Sequence, residues 1–286
     1  MNFSMQKPTA PELLDTLVGD RSAKFPFPVM IVVAHPDDET IGIGAQLSRL
    51  QNVTLVHVTD GSPANLSDAH RAGFSNTHDY AAARRIELNT SLSLAGIQPR
   101  NALALNFPDQ EAVFHLPEIT RTLKALVARF TPAMVFTHPY EGGHPDHDAT
   151  AFCIHSACED LAIPPPLVEM TFYHRNASGM VTGEFLLAKT QGFGLPIGGE
   201  QVWRAQLTQE EMRTKRRMFD SFTTQKRVLS AFSLESESFR LAPHYDFSIP
   251  PHPGRLHYEQ LPLGINAERF SEMIHRAIRA RSYEGK

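Results

Sequence analysis

Four side chains that can bind a metal ion or a proton lie within five residues of one another, at His35, Asp37, Asp38 and Glu39. Acidic residues in the first turn of a helix stabilise its dipole, which explains one such carboxylate. Three of them beside a histidine would be costly to bury together unless a cation shares the site. The segment His35–Glu39 therefore predicts a cation-binding site.

A second segment, His138–Asp148, contains the related run His144-Pro-Asp-His147. His144 and His147 are three residues apart and share a face if a helix begins there. Either segment alone is equally typical of hydrogen-bonded loop histidines. Together they supply the nitrogen and oxygen ligands that zinc accepts, and three protein ligands with one open position would mark a catalytic metal.

The remaining pattern predicts the elements that position these segments. Val29–Ala34 is an unbroken apolar run, typical of a strand buried on both faces, and it stops at His35-Pro36. Further strands are predicted at Val53–Thr59, Ala102–Leu105, Ala133–Thr137 and Val168–Tyr173. Helices are predicted at Glu12–Val18, Ile41–Leu50, Tyr80–Ala95, Pro117–Phe130, Asp148–Leu161, Thr208–Phe222 (with an extension to Phe232 left open) and Asn266–Arg281.

Strands that alternate with helices predict an α/β fold with a mainly parallel sheet flanked by helices. Ligands of such sheets bind beyond the carboxyl ends of the strands, which brings His35–Thr40 and His138–His147 to one crevice. We expect a leader at 1–28 and a single α/β domain at 29–286. Its core would be 29–175, and a C-terminal extension of loops and helices, 176–286, would shape the substrate crevice.

Composition excludes several classes of protein. The 286 residues carry 27 basic and 31 acidic side chains, a net charge of −4, with no basic stripe for nucleic acid. The longest apolar run is too short to span a membrane, and no signal pattern precedes it, so we expect a cytoplasmic protein. Cys153 and Cys158 are five apart in a predicted helix, which disfavours a disulfide between them. The sequence allows a homo-oligomer.

The two motifs, His35-Pro-Asp-Asp-Glu39 and His144-Pro-Asp-His147, resemble the paired motifs of the N-acetylglucosaminyl-phosphatidylinositol de-N-acetylase family, also called PIG-L or LmbE-like. The likeness covers roughly residues 29–155. Weaker similarities to family motifs lie at Val58–Gly61, Arg84–Leu88 and Phe107–Asp109.

The resemblance implies a Rossmann-like fold, a zinc ion and hydrolysis of the acetamido group of an N-acetylated sugar or its conjugate. By the same resemblance, His35, Asp38 and His147 would bind the metal. Asp37 would be the general base, and His144 would meet the charge that develops on the substrate.

Three further residues receive roles with alternatives. Asp146 could hydrogen-bond to His144, fix its orientation and favour its charged form. The resemblance makes Arg84 and Asp109 substrate contacts, although Arg84 could simply pair with Glu87 on a helix and Asp109 could form a turn. Either Asp37 or His144 could return a proton to the departing amine.

Other functions remain open at this point. A zinc amidase acting on another acyl amide, or a non-catalytic module that binds a metal and a sugar, would use the same ligands. Iron, cobalt or nickel would also suit two nitrogens and one carboxylate. A dinucleotide-binding oxidoreductase is disfavoured, because the turn at His35 lacks the full glycine fingerprint and its three acids would repel a pyrophosphate.

Overall fold

A computed structural model describes residues 8–19, 21–186 and 201–284. Parts of the predicted leader (1–7) and of the predicted extension (187–200) therefore lie outside the described residues. In chain order, the strands of the described part are β1 Phe25–Val33, β2 Leu50–Pro63, β3 Ala102–Asp109, β4 Met134–Thr137, β5 Leu167–Met170, β6 Tyr173–Asn176, β7 Gly179–Thr182, β8 Trp203–Gln206 and β9 Ser236–Leu241.

The α-helices of the same part lie between these strands and at both ends. They are α1 Ala10–Val18, α2 Asp38–Ile43, α3 Ser67–Arg71, α4 Thr77–Leu94, α5 Leu116–Phe130, α6 Pro145–Glu159, α7 Gln209–Ser221, α8 Lys226–Leu229 and α9 Ala267–Glu284. None of the described helices is long and apolar enough to cross a membrane.

Strands β3-β2-β1-β4-β5-β9-β8 form one sheet in that order, and β6 pairs with β7 in a small hairpin. The pairs from β3 to β5 are parallel, whereas β9 runs antiparallel to both β5 and β8. The predicted mainly parallel α/β sheet is thus confirmed. The order β3-β2-β1-β4-β5 is that of a Rossmann-like sheet.

Strand β1 lies at the centre because its sequence is apolar on both faces. Val29–Val33 is buried, with β2 on one side and β4 on the other. Its alternate side chains enter two separate apolar clusters, Ile31 and Val33 on one face and Met30 and Val32 on the other. The helices that cover these faces leave the carboxyl end of β1 as the accessible edge.

Several element boundaries differ from the sequence prediction. The helix expected at Ile41–Leu50 is wrong in length, since α2 ends at Ile43 and β2 begins at Leu50. Gly42 and Gly44 explain the short helix, because glycine weakens a helix interior. The helix expected from Asp148 begins three residues earlier, at Pro145, where proline is tolerated in a first turn.

The C-terminal part was predicted least well. The helix from Thr208 ends at Ser221, and α8 is separate from it, so the open extension to Phe232 is wrong. The run Val168–Tyr173 is divided between β5 and β6, and strands β7, β8 and β9 were not predicted. Strand β7 forms a local hairpin with β6, whereas β8 and β9 pair with strands that are distant in the chain. Short runs of mixed polarity do not reveal such strands.

The two cysteines behave as small apolar side chains. Cys153 and Cys158 are buried and unbridged, as predicted. Both face the cluster that contains α6 and α9, where Phe270 and Ile274 also pack.

We predict that Ile31→Ala lowers the free energy of unfolding by about 2–5 kcal/mol, because it opens a cavity in the middle of β1. Ile31 is fully buried, whereas Ile163 is 89% exposed and provides the matched control. Urea denaturation of both variants measures the difference. Ile163→Ala should change stability by less than about 0.5 kcal/mol; an equal loss in both variants would contradict the placement of β1.

Candidate metal and active site

The candidate site lies at the point in the sheet where the order of the strands reverses. From β1 the chain passes to β2 and β3 on one side, and it then returns to β4 on the other side of β1. The segment His35–Glu39 follows β1, and the segment His138–Asp148 follows β4. Because β1 and β4 are adjacent and parallel, their carboxyl ends bring the two motifs together at the switch point of the sheet.

Asp38 is the residue that both predicted histidine ligands contact. Its Oδ2 accepts a hydrogen bond from the backbone N–H of His35 at 2.7 Å and lies 3.3 Å from His35 Nδ1. Its Oδ1 lies 3.3 Å from His147 Nε2. The carboxylate of Asp38 is buried between two imidazoles that come from different segments of the chain.

The described residues contain three groups with donor atoms close enough to bind one metal ion. The groups are His35–His144–His147, Asp38–His138–His147 and His35–Asp109–Asp146, and the chosen atoms of each lie within 4.8 Å of one another. The predicted set of His35, Asp38 and His147 is not itself one of these groups. His35 and His147 occur together in the first group, and Asp38 and His147 occur together in the second.

His138 is a poor metal ligand despite its position. Its Nε2 accepts a hydrogen bond from the backbone N–H of Ala34 at 2.9 Å, so the lone pair that faces Asp38 at 3.5 Å is already used. Burial, reinforced by the nearby His147, lowers the pKa of His138 to about 3. The imidazole is therefore neutral and ties the end of β1 to the loop after β4.

His144 and Asp146 differ from the sequence prediction. The expected hydrogen bond between their side chains is wrong, because His144 Nδ1 accepts from the backbone N–H of Asp146 at 3.2 Å. The expected charged form is also wrong, because burial and the neighbouring His35 and His147 lower the pKa of His144 well below its usual value. In the neutral imidazole, the proton must then lie on Nε2.

The Asp146 carboxylate instead supports His35. Its Oδ2 lies 3.1 Å from His35 Nε2 and accepts from the backbone N–H of Gln110 at 2.6 Å, while Oδ1 accepts from that of Ala112 at 3.1 Å. A carboxylate on the second nitrogen of a metal-binding histidine fixes its tautomer and orientation. This arrangement leaves Nδ1 of His35 directed at Asp38.

Asp109, at the end of β3, meets the same histidine. Its Oδ1 lies 3.1 Å from His35 Nε2, and the side chain also lines the cavity described below. Burial would raise the pKa of Asp109, but the charge of His35 outweighs it and holds that pKa well below the usual range. Burial would likewise lower the pKa of His35, whereas Asp109, Asp146 and Asp38 together raise it well above its usual value.

Asp37 is held by Arg84, which the sequence placed as a substrate contact or as a partner of Glu87. Arg84 donates from Nη2 to Asp37 Oδ2 at 3.2 Å and to the carbonyl oxygen of Pro36 at 2.7 Å, and from Nη1 to that of Gly61 at 3.0 Å. Gly61 has φ +69°, and a Cβ there would lie 2.9 Å from Arg84 Cζ, so only glycine fits beside the guanidinium.

The pairing of Arg84 with Glu87 that the sequence left open is wrong. Glu87 instead accepts hydrogen bonds from Thr223 and Thr224, which lie after α7. It thereby fixes a segment of the C-terminal region beside α4. The sequence did not predict this contact, since 136 residues separate Glu87 from Thr223.

Burial raises the pKa of Asp37 to about 8, although Arg84 opposes the shift. The neighbouring Asp38 shifts in the opposite direction: His147 and His138 outweigh its burial and hold its pKa well below the usual range. Two adjacent carboxyl groups thus differ in proton affinity. Such a difference is typical of a site in which one group binds a cation and the other exchanges a proton.

A cavity of about 790 Å³ opens onto these side chains. His35, Asp37, Asp38, His144 and His147 line it, together with the predicted substrate contacts Arg84 and Asp109. Its outer wall comes from α4 and from residues 223–228 and 261–263 of the C-terminal region. Ile86, Val228 and Leu261 are exposed along that wall.

The sequence missed a polar pair beneath the site. His57 on β2 lies with Nε2 3.0 Å from Glu39 Oε2, and neither side chain is exposed. The signal was present, since an imidazole within an apolar strand that is buried on both faces requires a hydrogen-bond partner. Distance along the chain concealed which partner that would be.

A Rossmann-like sheet with a buried cluster of imidazoles and carboxylates at its switch point defines an α/β protein with a candidate metal centre. Residues 30–158 match the family model described as GlcNAc-PI de-N-acetylase, PIG-L. This part of the chain is therefore similar to the PIG-L (LmbE-like) family.

Two curated relatives are deacetylases. The 1D-myo-inositol 2-acetamido-2-deoxy-alpha-D-glucopyranoside deacetylase of Corynebacterium diphtheriae is 30% identical over 166 residues, which cover 51% of this chain and 57% of that protein. The diacetylchitobiose deacetylase of Thermococcus kodakarensis is 30% identical over 132 residues, 43% of this chain and 46% of that protein. The chain thus matches about half the length of these relatives.

The fold is similar to that of a deacetylase solved as a bog complex, from the biosynthesis pathway of teicoplanin. The TM-score is 0.59 at 17% identity, and the match covers 77% of this chain and 99% of that one. At this identity the likeness extends to the fold alone.

We predict that Asp37 contributes stability to the metal-free protein that is lost as pH rises from about 4 to about 8, and that Asp37→Asn removes this contribution. The folded pKa of Asp37 is about 8, above an unfolded value of about 3.9. The folded state therefore binds this proton more tightly, and stability falls as pH rises between the two values.

Urea denaturation with a chelator, at pH 5 and pH 8, measures this effect. His35, with its raised pKa, contributes in the same direction, and the buried His138 and His144, with their lowered pKa values, contribute in the opposite direction. The comparison with Asp37→Asn isolates the carboxyl group. An identical pH dependence in the two proteins would show that Asp37 ionises normally.

Proposed function

We propose that this protein is a zinc-dependent N-deacetylase, a hydrolase that removes the acetyl group from an N-acetylated amino sugar or its conjugate. The observation that carries the proposal is the arrangement around Asp38. Two imidazoles contact this carboxylate, while Asp37 and His144 face the same cavity without being needed as ligands. A metal-binding module without chemistry would not require the last two.

The residues present fit a divalent metal. Asp38 brings His35 Nδ1 and His147 Nε2 to the same carboxylate, and Asp146 holds the far nitrogen of His35. Two nitrogens and one carboxylate suit zinc, although iron, cobalt or nickel would accept the same ligands. A divalent metal held there would act as a Lewis acid that makes the amide carbonyl more electrophilic and water more acidic.

Asp37 serves as the general base in this proposal. Arg84 fixes its carboxylate at 3.2 Å, and Asp37 takes a proton from the attacking water. Burial raises the pKa of Asp37 to about 8, so the carboxyl group that accepts this proton is also able to carry it to the departing amine as the carbon–nitrogen bond breaks. We therefore assign the final proton transfer to Asp37 rather than to His144.

His144 acts as a neutral hydrogen-bond donor rather than as the cation that the sequence suggested. Its Nδ1 accepts from Asp146 N–H, so Nε2 carries the proton and can donate to the oxygen that becomes negative during attack. A neutral donor of fixed tautomer needs no protonation equilibrium before the reaction. Asp109 and Arg84 line the same cavity and would contact the sugar.

The cavity is large enough for a sugar conjugate as well as for a sugar ring. Its volume of about 790 Å³ lies within the range of about 300–1,000 Å³ that is typical of sites for drug-sized ligands. The threonines and Gln225 of its wall offer hydroxyl and amide groups to a sugar, while Ile86, Val228 and Leu261 offer an apolar surface.

The proposal is tested by metal analysis and by an assay of acetate release from N-acetylglucosamine and its glycosides. We expect zinc at one ion per chain, release of acetate with an equal amount of primary amine, loss of both with a chelator, and recovery with zinc. A panel of longer N-acyl groups distinguishes a deacetylase from a broader amidase. A zinc-loaded protein that binds the glycosides and releases no acid would contradict the proposed reaction.

We predict that Asp37→Asn and His147→Ala separate proton transfer from metal binding. Asp37→Asn should keep the bound metal and lower kcat by about 10²–10⁴-fold, because it removes only the base. His147→Ala should lose both metal and turnover. Metal content by mass spectrometry and kcat are measured on the same samples.

The matched control is His155→Ala, since His155 is a histidine of α6 that packs against Tyr245 and Phe247 away from the cavity. It should retain metal and rate. Loss of metal from Asp37→Asn would make Asp37 a ligand and remove its assignment as the base.

A further inference from the structure

The backbone of Asp37 has an unusual conformation. Its φ is +138° and its ψ is −25°. The other described non-glycine residues with positive φ, Leu66, Asn106, Gln110 and Thr131, have φ between 42° and 72°. Such a conformation persists only where the surrounding structure holds it, and residues of this kind cluster at functional sites.

In this conformation the side chain of Asp37 does not cap the helix that follows it. Asp37 is the N-cap of α2, and its carbonyl oxygen accepts from the N–H groups of Thr40 and Ile41. An aspartate at this position ordinarily caps the helix with its own carboxylate, but Asp37 makes no such bond. Its carboxylate therefore stays free to meet Arg84 and the cavity.

The side chain of Glu39 contacts the backbone of Asp37. Its Oε2 accepts the backbone N–H of Asp37 at 3.1 Å, and its Oε1 accepts the hydroxyl of Thr40. The carboxylate is fully buried in the first turn of α2. Without further support, such a group could turn toward other donors of the helix terminus.

His57 supplies that support from the neighbouring strand. Its Nε2 lies 3.0 Å from Glu39 Oε2, the same oxygen that accepts from Asp37. In the parallel pairing of β1 and β2, His57 lies opposite Val33. Val33 is two residues before His35 in the sequence. Nε2–H thus donates to Glu39 from a rigid element in the core.

We infer that His57 and Glu39 form a positioning pair that keeps Asp37 in its strained backbone conformation, so that the carboxylate faces the substrate rather than capping α2. The inference rests on the proposed function for its kinetic consequence but not for its structural one. Neither residue lines the cavity described above, so both act through Asp37.

The ordinary alternative is that His57 and Glu39 are a buried polar pair that only satisfies its own hydrogen bonds. Removal of His57 would then reduce stability without moving Asp37. The two explanations predict different positions of Asp37 in variants that fold.

The test compares variants with and without a donor at position 57. His57→Leu and His57→Phe remove the N–H, and the phenylalanine preserves the ring volume if the leucine variant does not fold. His57→Gln restores an N–H near the position of Nε2. His155→Leu is the matched control, because His155 lies on α6 and packs against Tyr245 and Phe247.

The first readout is the crystal structure of each metal-free variant. In His57→Leu or His57→Phe, we expect Asp37 to leave positive φ and its carboxylate to move away from Arg84, while His57→Gln and His155→Leu keep both. Retention of φ near +138° in the variants without a donor would overturn the inference. This readout does not depend on catalysis, so it stands even if the wild-type protein releases no acetate and the proposed function fails.

The second readout is kinetic. We expect the variants without a donor to lower kcat by about 10–100-fold, the cost of a misplaced catalytic group, with KM and metal content within about twofold of wild type. His57→Gln should recover most of the rate. In an Asp37→Ala background, His57→Leu should lower the residual rate no further; an additive loss, or a loss that follows metal content, would assign His57 to general stability or metal retention instead.

Discussion

The contact of one buried carboxylate, Asp38, with two imidazoles from distant segments is the interaction on which the rest of the site depends. His35 arrives from the end of β1 and His147 from the first turn of α6, 112 residues later. They meet because β1 and β4 are neighbours in a parallel sheet whose core is apolar on both faces. The strand order therefore determines the chemistry, since any other neighbour for β1 would separate the histidines.

Burial of so many ionisable groups imposes a second requirement, which is that each charge must face an opposite charge or a donor. Asp37 faces Arg84, Asp146 faces His35 and two backbone N–H groups, and Glu39 faces His57. The pattern separates neighbouring acids into different states, with the pKa of Asp38 lowered and that of Asp37 raised. A cation would complete this balance by attracting Asp38 and leaving Asp37 to exchange protons.

The sequence predicted those parts of the molecule that are set by local pattern. The apolar run of β1 and its end at His35-Pro36 fixed the sheet class, and the two His-Pro-Asp segments fixed where the candidate site would lie. The parts that failed depend on partners distant in the chain. Asp146 was placed beside the nearby His144, yet its carboxylate contacts His35. Arg84 was left open as a substrate contact or a partner of Glu87 on its own helix, yet it reaches Asp37.

Prediction from local pattern also failed where a helix is shorter, or a strand less apolar, than usual. Helix α2 is shorter than predicted because Gly42 and Gly44 lie in it and just after it, and the antiparallel strands β8 and β9 carry too few apolar residues to be recognised. The most informative feature, the positive φ of Asp37, has no signature in an aspartate side chain. It is fixed by contacts with Glu39 below and Arg84 beside it, and these exist only in the folded protein.

The most direct test of the proposed metal centre is a crystal structure of the protein grown with zinc, with anomalous data collected at the zinc edge. We expect one anomalous peak at the carboxyl end of β1, with Nδ1 of His35, Nε2 of His147 and one oxygen of Asp38 at about 2.0–2.2 Å from it. Asp37 should remain unligated beside Arg84. Zinc bound elsewhere, or imidazoles of His35 and His147 that face different ions, would contradict the assignment of this metal centre.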